Sequence, residues 1–135
     1  MQSYIEKVYS EEVISQNIRD NTIRYAIAFD GTQAIGYTKL LLNGKHEKLT
    51  GKSIELEKIY VLQTTIGTGA GLSLMNEAIV YSKQQRADVL FLGVWEENER
   101  AVNFYRKAGF EIFANRSFQL GERLCEDYMM KYNLS

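Results

Sequence analysis

Gly67, Gly69 and Gly71 alternate between a segment that reads as a strand and one that reads as a helix. Chemically, that place is an anion site. The first N–H groups of a helix have no intrahelical acceptor, and the positive end of the helix dipole stands behind them. Glycine lets a phosphate approach the backbone closely. Two better-known phosphate motifs do not apply. A dinucleotide fingerprint would need glycine where Leu72 stands, and the Gly51-Lys52-Ser53 run leads into a strand and has His46 where a P-loop needs its first glycine. Asn98 precedes a helical pattern and suits its N-cap. His46 lies in a polar loop without a partner at metal-ligand spacing and reads as surface, and Cys125 reads as a small apolar core residue.

Elements of both kinds must hold these residues. The first 19 residues read as helix, with Ile5, Val8, Tyr9, Val13, Ile14 and Ile18 on an apolar stripe. A hairpin over about 23–42 turns at Asp30-Gly31. A polar loop follows at 43–52, then a strand at 54–62, the glycine loop and a helix that starts at Leu72. Residues 88–95 are almost continuously apolar, as in a strand buried on both faces; Trp95 at its end reads as packing. A short helix at 99–108 stops at Gly109, and strands at 110–114 and 124–132 meet at a turn near Gly121. The order α-β-β-β-α-β-α-β-β describes one mixed α/β domain over residues 1–135.

Composition narrows the classes of function. The chain has 135 residues, 45% apolar and 24% charged, enough for one buried core without staples. Sixteen Lys and Arg against 17 Asp and Glu leave a net charge of −1, which argues against a nucleic-acid partner. One cysteine excludes a disulfide framework or a Cys-cluster metal site and fits a reducing, cytoplasmic setting. No apolar run approaches a membrane span, and the N-terminus has no signal pattern.

Two segments resemble the GNAT superfamily of acetyl-CoA-dependent N-acetyltransferases. One is IELEKIYVL running into the glycine loop, and the other is GVWEENERAVNFYRKAGFEI at 93–112. The family pattern N-x-x-A-x-x-F-Y-x-K-x-G-F is matched by Asn98, Ala101, Phe104, Tyr105, Lys107, Gly109 and Phe110. The tail SFQLGERLCEDYMMKYNL further resembles the PaiA-type spermidine/spermine N-acetyltransferase branch.

The resemblance implies an α/β fold whose mixed central sheet has a V-shaped split between two parallel strands, 54–62 and 88–95, with helices on both faces. It implies acetyl-CoA as cosubstrate and no metal. The pantetheine arm would pair with the backbone of Tyr60 and Val61, and the pyrophosphate would sit on Ile66, Gly67, Thr68, Gly69, Ala70 and Gly71. Asn98 and Tyr105 would also lie at the coenzyme, with Arg100, Arg106 and Lys107 as candidates for its 3′-phosphate. Tyr105 would protonate the leaving thiolate. Glu57, with Glu55 second on the same strand face, would deprotonate the amine. Main chain near Val94 and Trp95, or near Ile59 and Tyr60, would hold the oxyanion. The acceptor would be a polyamine or another small amine, acetylated in a ternary complex.

The sequence also departs from the family. Ile66 stands where Gln or Arg is usual and Thr68 where Lys or Arg is common, a loss of about 1–2 kcal/mol of phosphate binding. The family's usual first strand and helix look absent. The alternative is therefore a weak or inactive CoA-binding or interaction module, or a homodimer-forming partner that uses the open sheet surface.

Overall fold

The computed structural model describes residues 8–9 and 22–135. Among the described residues, seven strands form one sheet in the order β1-β2-β3-β4-β5-β7-β6. β1 (Val8–Tyr9) opens it, followed by the hairpin of β2 (Ile23–Asp30) and β3 (Gln33–Leu41), then β4 (Ser53–Val61). A single turn of 3-10 helix (Gln63–Thr65) and the glycine loop lead into α1 (Ala70–Gln84). β5 (Val89–Trp95), α2 (Glu99–Lys107), β6 (Glu111–Leu120) and β7 (Arg123–Asn133) complete the chain. No helix among the described residues is long and apolar enough to cross a membrane.

The expected N-terminal helix is corrected at two positions. Val8 and Tyr9 pair antiparallel with Ala28 and Ile27, because β2 offers them an edge of unpaired backbone groups. The rest of that helix reading lies outside the described residues. The late strands are also longer than their apolar content suggests. β6 runs through the polar stretch Asn115–Gln119, which β7 pairs residue for residue across a two-residue turn at Gly121 (φ +64°).

The core lies between the sheet and the two helices. Leu40, Ile54, Leu56, Leu90, Leu92 and Val94 point from the strands, and Met75, Ala78, Ile79 and Val102 meet them from α1 and α2. Both described helices thus pack on one face. The expectation of helices on both faces is met on that face alone among the described residues. On the other face, Phe91, Met129 and Ala114 are covered by Leu49 of the 42–52 loop and by Phe113. His46 packs there too, edge-on to Phe113 at 5.0 Å, so it is half-buried rather than a surface side chain.

The β4–β5 pair positions the candidate site. β4 and β5 are parallel neighbours paired only at Ser53–Val89, Ile54–Leu90 and Glu55–Phe91. Their starts are tied together. The Lys52 N–H donates to Asp88 Oδ2 at 2.9 Å, and the Asp88 N–H donates to Lys52 O at 2.8 Å. From Leu56 and Leu92 onward the strands are unpaired, so the sheet opens into a V whose inner edges carry free backbone groups.

Candidate active site

Two cavities meet in this split. The larger, about 530 Å³, lies between the glycine loop and α2 and is lined by Val61, Ile66, Gly67, Gly69, Leu72 and Arg100 among others. The second, about 410 Å³, runs from α2 through the split to the outer sheet face, where Tyr37, Glu57, Lys58 and Trp95 line it. Ile59, Tyr60, Asn98, Ala101 and Tyr105 belong to both walls. Both volumes are ordinary for small-molecule sites.

The glycine loop is shaped for an anion. Gly67 (φ +90°) and Gly69 (φ +98°) take left-handed conformations that side chains other than glycine's rarely adopt. A Cβ built on either would meet nothing within 4 Å, so the space before their backbone is open. Gly69 caps α1 without a side-chain hydrogen bond. Among the described residues the N–H groups of Gly69, Ala70, Gly71 and Leu72 have no backbone acceptor, while Ser73 already donates to Gly69 O at 2.9 Å. Two of the expected donors are spent inside the loop: Ile66 N–H on Gln63 O (3.3 Å) and Thr68 N–H on Thr65 O (3.1 Å). Ile66 still lines the larger cavity with its side chain; Thr68 and the fully buried Ala70 do not line it. The cradle therefore fits a diphosphate through the backbone of Gly67 and Gly69–Leu72.

Leu62 N–H donates to Ile35 O on β3 at 2.8 Å. Alternation along the strand then turns the main-chain groups of Ile59 and Val61 toward the split and those of Tyr60 toward β3. Tyr60 reaches the cavities with its ring, which is 50% exposed.

α2 brings Asn98, Arg100 and Tyr105. Asn98 is the N-cap, its Oδ1 accepting from the Ala101 N–H at 3.3 Å, and it lines both cavities as well. Of the three basic candidates only Arg100 lines a cavity; Arg106 and Lys107 lie on the exposed last turn of α2. Tyr105 packs between Phe104 (5.5 Å) and Phe110 (6.0 Å), and burial pushes its phenol pKa upward. Its hydroxyl meets no protein hydrogen-bond partner among the described residues and stays protonated at neutral pH.

The two glutamates are treated differently. β3 and β4 shift register so that Leu40 faces Leu56 and Lys39 faces Lys58, which leaves Glu57 as the extra residue of a β-bulge. The bulge aims Glu57 into the second cavity, where its Oε1 pairs with Lys39 Nζ at 2.8 Å. The hydrogen bond to Glu57 in turn raises the Lys39 pKa. Glu55 lines neither cavity. Its carboxyl pKa is raised first by burial and then by the charge of Glu57, while Arg116 and His46 oppose the shift.

Sequence reasoning missed part of the outer wall. Trp95 is 38% exposed and lines the second cavity instead of packing. Strict alternation from Leu90, Leu92 and Val94, which face the helices, would have turned it outward. Tyr37 and Lys39 follow the same alternation on β3, visible only once Thr38 and Leu40 are known to be the buried set.

A split parallel pair, a glycine loop open at a helix start and a buried phenol come together in this mixed α/β sheet. The chain belongs to the acetyltransferase (GNAT) family, whose model matches residues 2–110, and it is an N-acetyltransferase. It is 32% identical over 133 residues to an uncharacterized N-acetyltransferase of Lactobacillus delbrueckii subsp. lactis, covering 97% of this chain and 76% of that protein. An uncharacterized N-acetyltransferase of Mycobacterium bovis is 30% identical over 128 residues, covering 95% and 78%. Among solved structures, a GNAT family acetyltransferase from Elizabethkingia anophelis with acetyl-CoA bound superposes with a TM-score of 0.70 at 19% identity, over 93% of this chain and 84% of that one. A chimera of a spermidine N-acetyltransferase from Vibrio cholerae gives a TM-score of 0.74 at 24% identity, over 92% of this chain and 74% of that one, a likeness of fold.

Proposed function

We propose that this N-acetyltransferase uses acetyl-CoA and delivers the acetyl group to a small primary amine by direct attack in a ternary complex. The observation that carries this reading is the meeting of the two cavities at Tyr105 within the open split. Resemblance of the C-terminal segment suggests a polyamine among the small amines.

The larger cavity supports coenzyme binding. Backbone N–H groups of Gly67 and Gly69–Leu72 hold the diphosphate, and the main chain of Val61 pairs with the pantetheine arm. Arg100, the one cationic side chain lining that cavity, takes the 3′-phosphate. Acetyl-CoA, when bound, supplies a thioester carbonyl that accepts the amine nitrogen.

The chain's own groups manage the protons and the charge. The amine arrives as an ammonium with a pKa of about 10.4 and has to lose a proton. Glu57, at the acceptor side, takes that proton through water. Free main-chain groups along the unpaired edges of β4 and β5 receive the developing oxyanion. Tyr105 returns a proton to the departing sulfur, a role its buried, protonated phenol suits.

The test is calorimetric titration with acetyl-CoA followed by amine-dependent thiol release. A Kd in the micromolar range, about −8 kcal/mol, together with thiol release above the blank is expected. No binding up to about 1 mM, about −4 kcal/mol, overturns the reading.

A further inference from the structure

The acceptor cavity is walled by aromatic rings. Tyr37 and Tyr60 face each other in register on β3 and β4 with ring centroids 5.9 Å apart and planes tilted by 40°. Tyr25 on β2 continues the row 6.4 Å from Tyr37. Across the split stands Trp95 on β5, held from behind by the Arg123 guanidinium 5.5 Å over its ring. Tyr60 and Trp95 expose 50% and 38% of their surface although both line a concave site. Side chains of this kind normally bury most of their area, and rings prefer other rings at 4.5–7 Å.

The charges of the same cavity point the same way. Glu57 is the one carboxylate among its lining residues, and it is already paired with Lys39. The other charged lining residue is Lys58, which makes no ion pair among the described residues. Next to Trp95 in sequence, Glu97 is paired with Arg123 and Glu96 acts on the same guanidinium, and neither lines the cavity. On the outer face Glu55 lies outside the cavity, and Asp127 is paired with Arg116. A polyamine brings a second and third ammonium, and this cavity has no further carboxylate for them. It has unfilled aromatic surface instead.

We infer that the acceptor is an arylalkylamine, a primary amine on a short chain that ends in an aromatic ring. The ring lies between Trp95 and the Tyr37–Tyr60 pair, and the amine reaches the split beside Glu57 and Tyr105. In the reaction the amine nitrogen forms the amide bond as the C–S bond breaks. From the ammonium, one proton leaves through Glu57 to water before attack and a second leaves the nitrogen as the amide forms; one proton joins the sulfur, so one proton is released overall and no other reactant is consumed. This inference rests on the acetyl-transfer reading and narrows its acceptor.

Trp95 is the only tryptophan in the chain, so its fluorescence reports on this wall directly. Phenethylamine, which does not emit in the tryptophan window, is titrated into the protein with CoA present, and spermidine into a parallel sample. A saturable change in Trp95 emission with phenethylamine and none with spermidine at equal concentration is the expected result. No response to phenethylamine, or tighter saturation by spermidine, overturns the inference. Because the readout is binding, it separates the two readings: a saturable phenethylamine response without turnover leaves the acceptor class standing and sinks the acetyl-transfer mechanism. Where turnover is seen, kcat/KM for phenethylamine relative to propylamine should fall about 10-fold in Tyr37→Ala, and an unchanged ratio counts against the ring clamp.

Discussion

At the scale of single residues, environment separates groups of one chemical type. Tyr105, Tyr60 and Tyr37 all line the second cavity, and of the three Tyr105 is the one on α2, packed between Phe104 and Phe110, where burial raises its phenol pKa. Tyr105→Phe removes the proton donor and keeps the ring packing against Phe104 and Phe110. It should lower kcat about 100-fold, in the range of a general acid, with little change in melting temperature. A rate within twofold of wild type would make the phenol a packing group. Glu55 and Glu57 diverge in position: Glu57 lines the second cavity and Glu55 lines neither. The folded-state pKa of Glu55 lies above the ordinary glutamate value of 4.5, so the fold favours the protonated form. Stability from that preference is present below about 4.5 and lost as pH rises through the folded pKa. Glu55→Gln, neutral throughout, should therefore melt above wild type at pH 7, with the gap shrinking toward pH 4.5. A gap that is constant with pH would mean that Glu55 titrates alike in the folded and unfolded chain.

At the scale of elements, the glycine loop is where backbone conformation sets the chemistry. Gly69→Ala places a methyl in a left-handed conformation at a cost of about 1–2 kcal/mol and puts it in the anion cradle. Gly31→Ala, at the β2–β3 turn, carries a related strain (φ +67°) and also meets open space. Both variants should lose comparable stability, while only Gly69→Ala should raise the acetyl-CoA Kd, by about 10-fold. Equal Kd values in the two would move the diphosphate away from α1. The strand–glycine–helix unit was readable in the sequence because each part has a local cause: alternation in β4, glycine φ at the loop, 3.6-residue spacing in α1. The Asn98 cap and the Gly109 stop were readable for the same reason, and Gly109 does take a φ of +109°. What escaped depended on distant partners. The polar half of β6 is a strand only because β7 pairs it, and the bulge at Glu57 exists only against the register of β3. Val8–Tyr9 joins the sheet through β2, which no helical stripe in the sequence announces.

At the scale of the whole molecule, the open split bears on whether both substrates are bound at once. The coenzyme-side and acceptor-side cavities share Ile59, Tyr60, Asn98, Ala101 and Tyr105, so both ligands can stand in one site together. A covalent acetyl-enzyme would need a nucleophile on that shared wall. The lone cysteine, Cys125, is 3% exposed in β7 and lines neither cavity. Initial rates measured with both substrates varied should therefore give intersecting double-reciprocal lines, the pattern of a ternary complex. Parallel lines, the mark of a ping-pong exchange, would require an acetylated side chain. Cys125→Ala provides the matching check. It removes one buried sulfur, which costs stability on the order of 1–2 kcal/mol, and it should leave kcat within twofold. Parallel lines that become intersecting in Cys125→Ala would locate the acetyl group on that sulfur and would require β7 to open during turnover. Intersecting lines in both proteins mean that the amine attacks across the split directly, with the separation of β4 and β5 as the feature that lets two substrates meet.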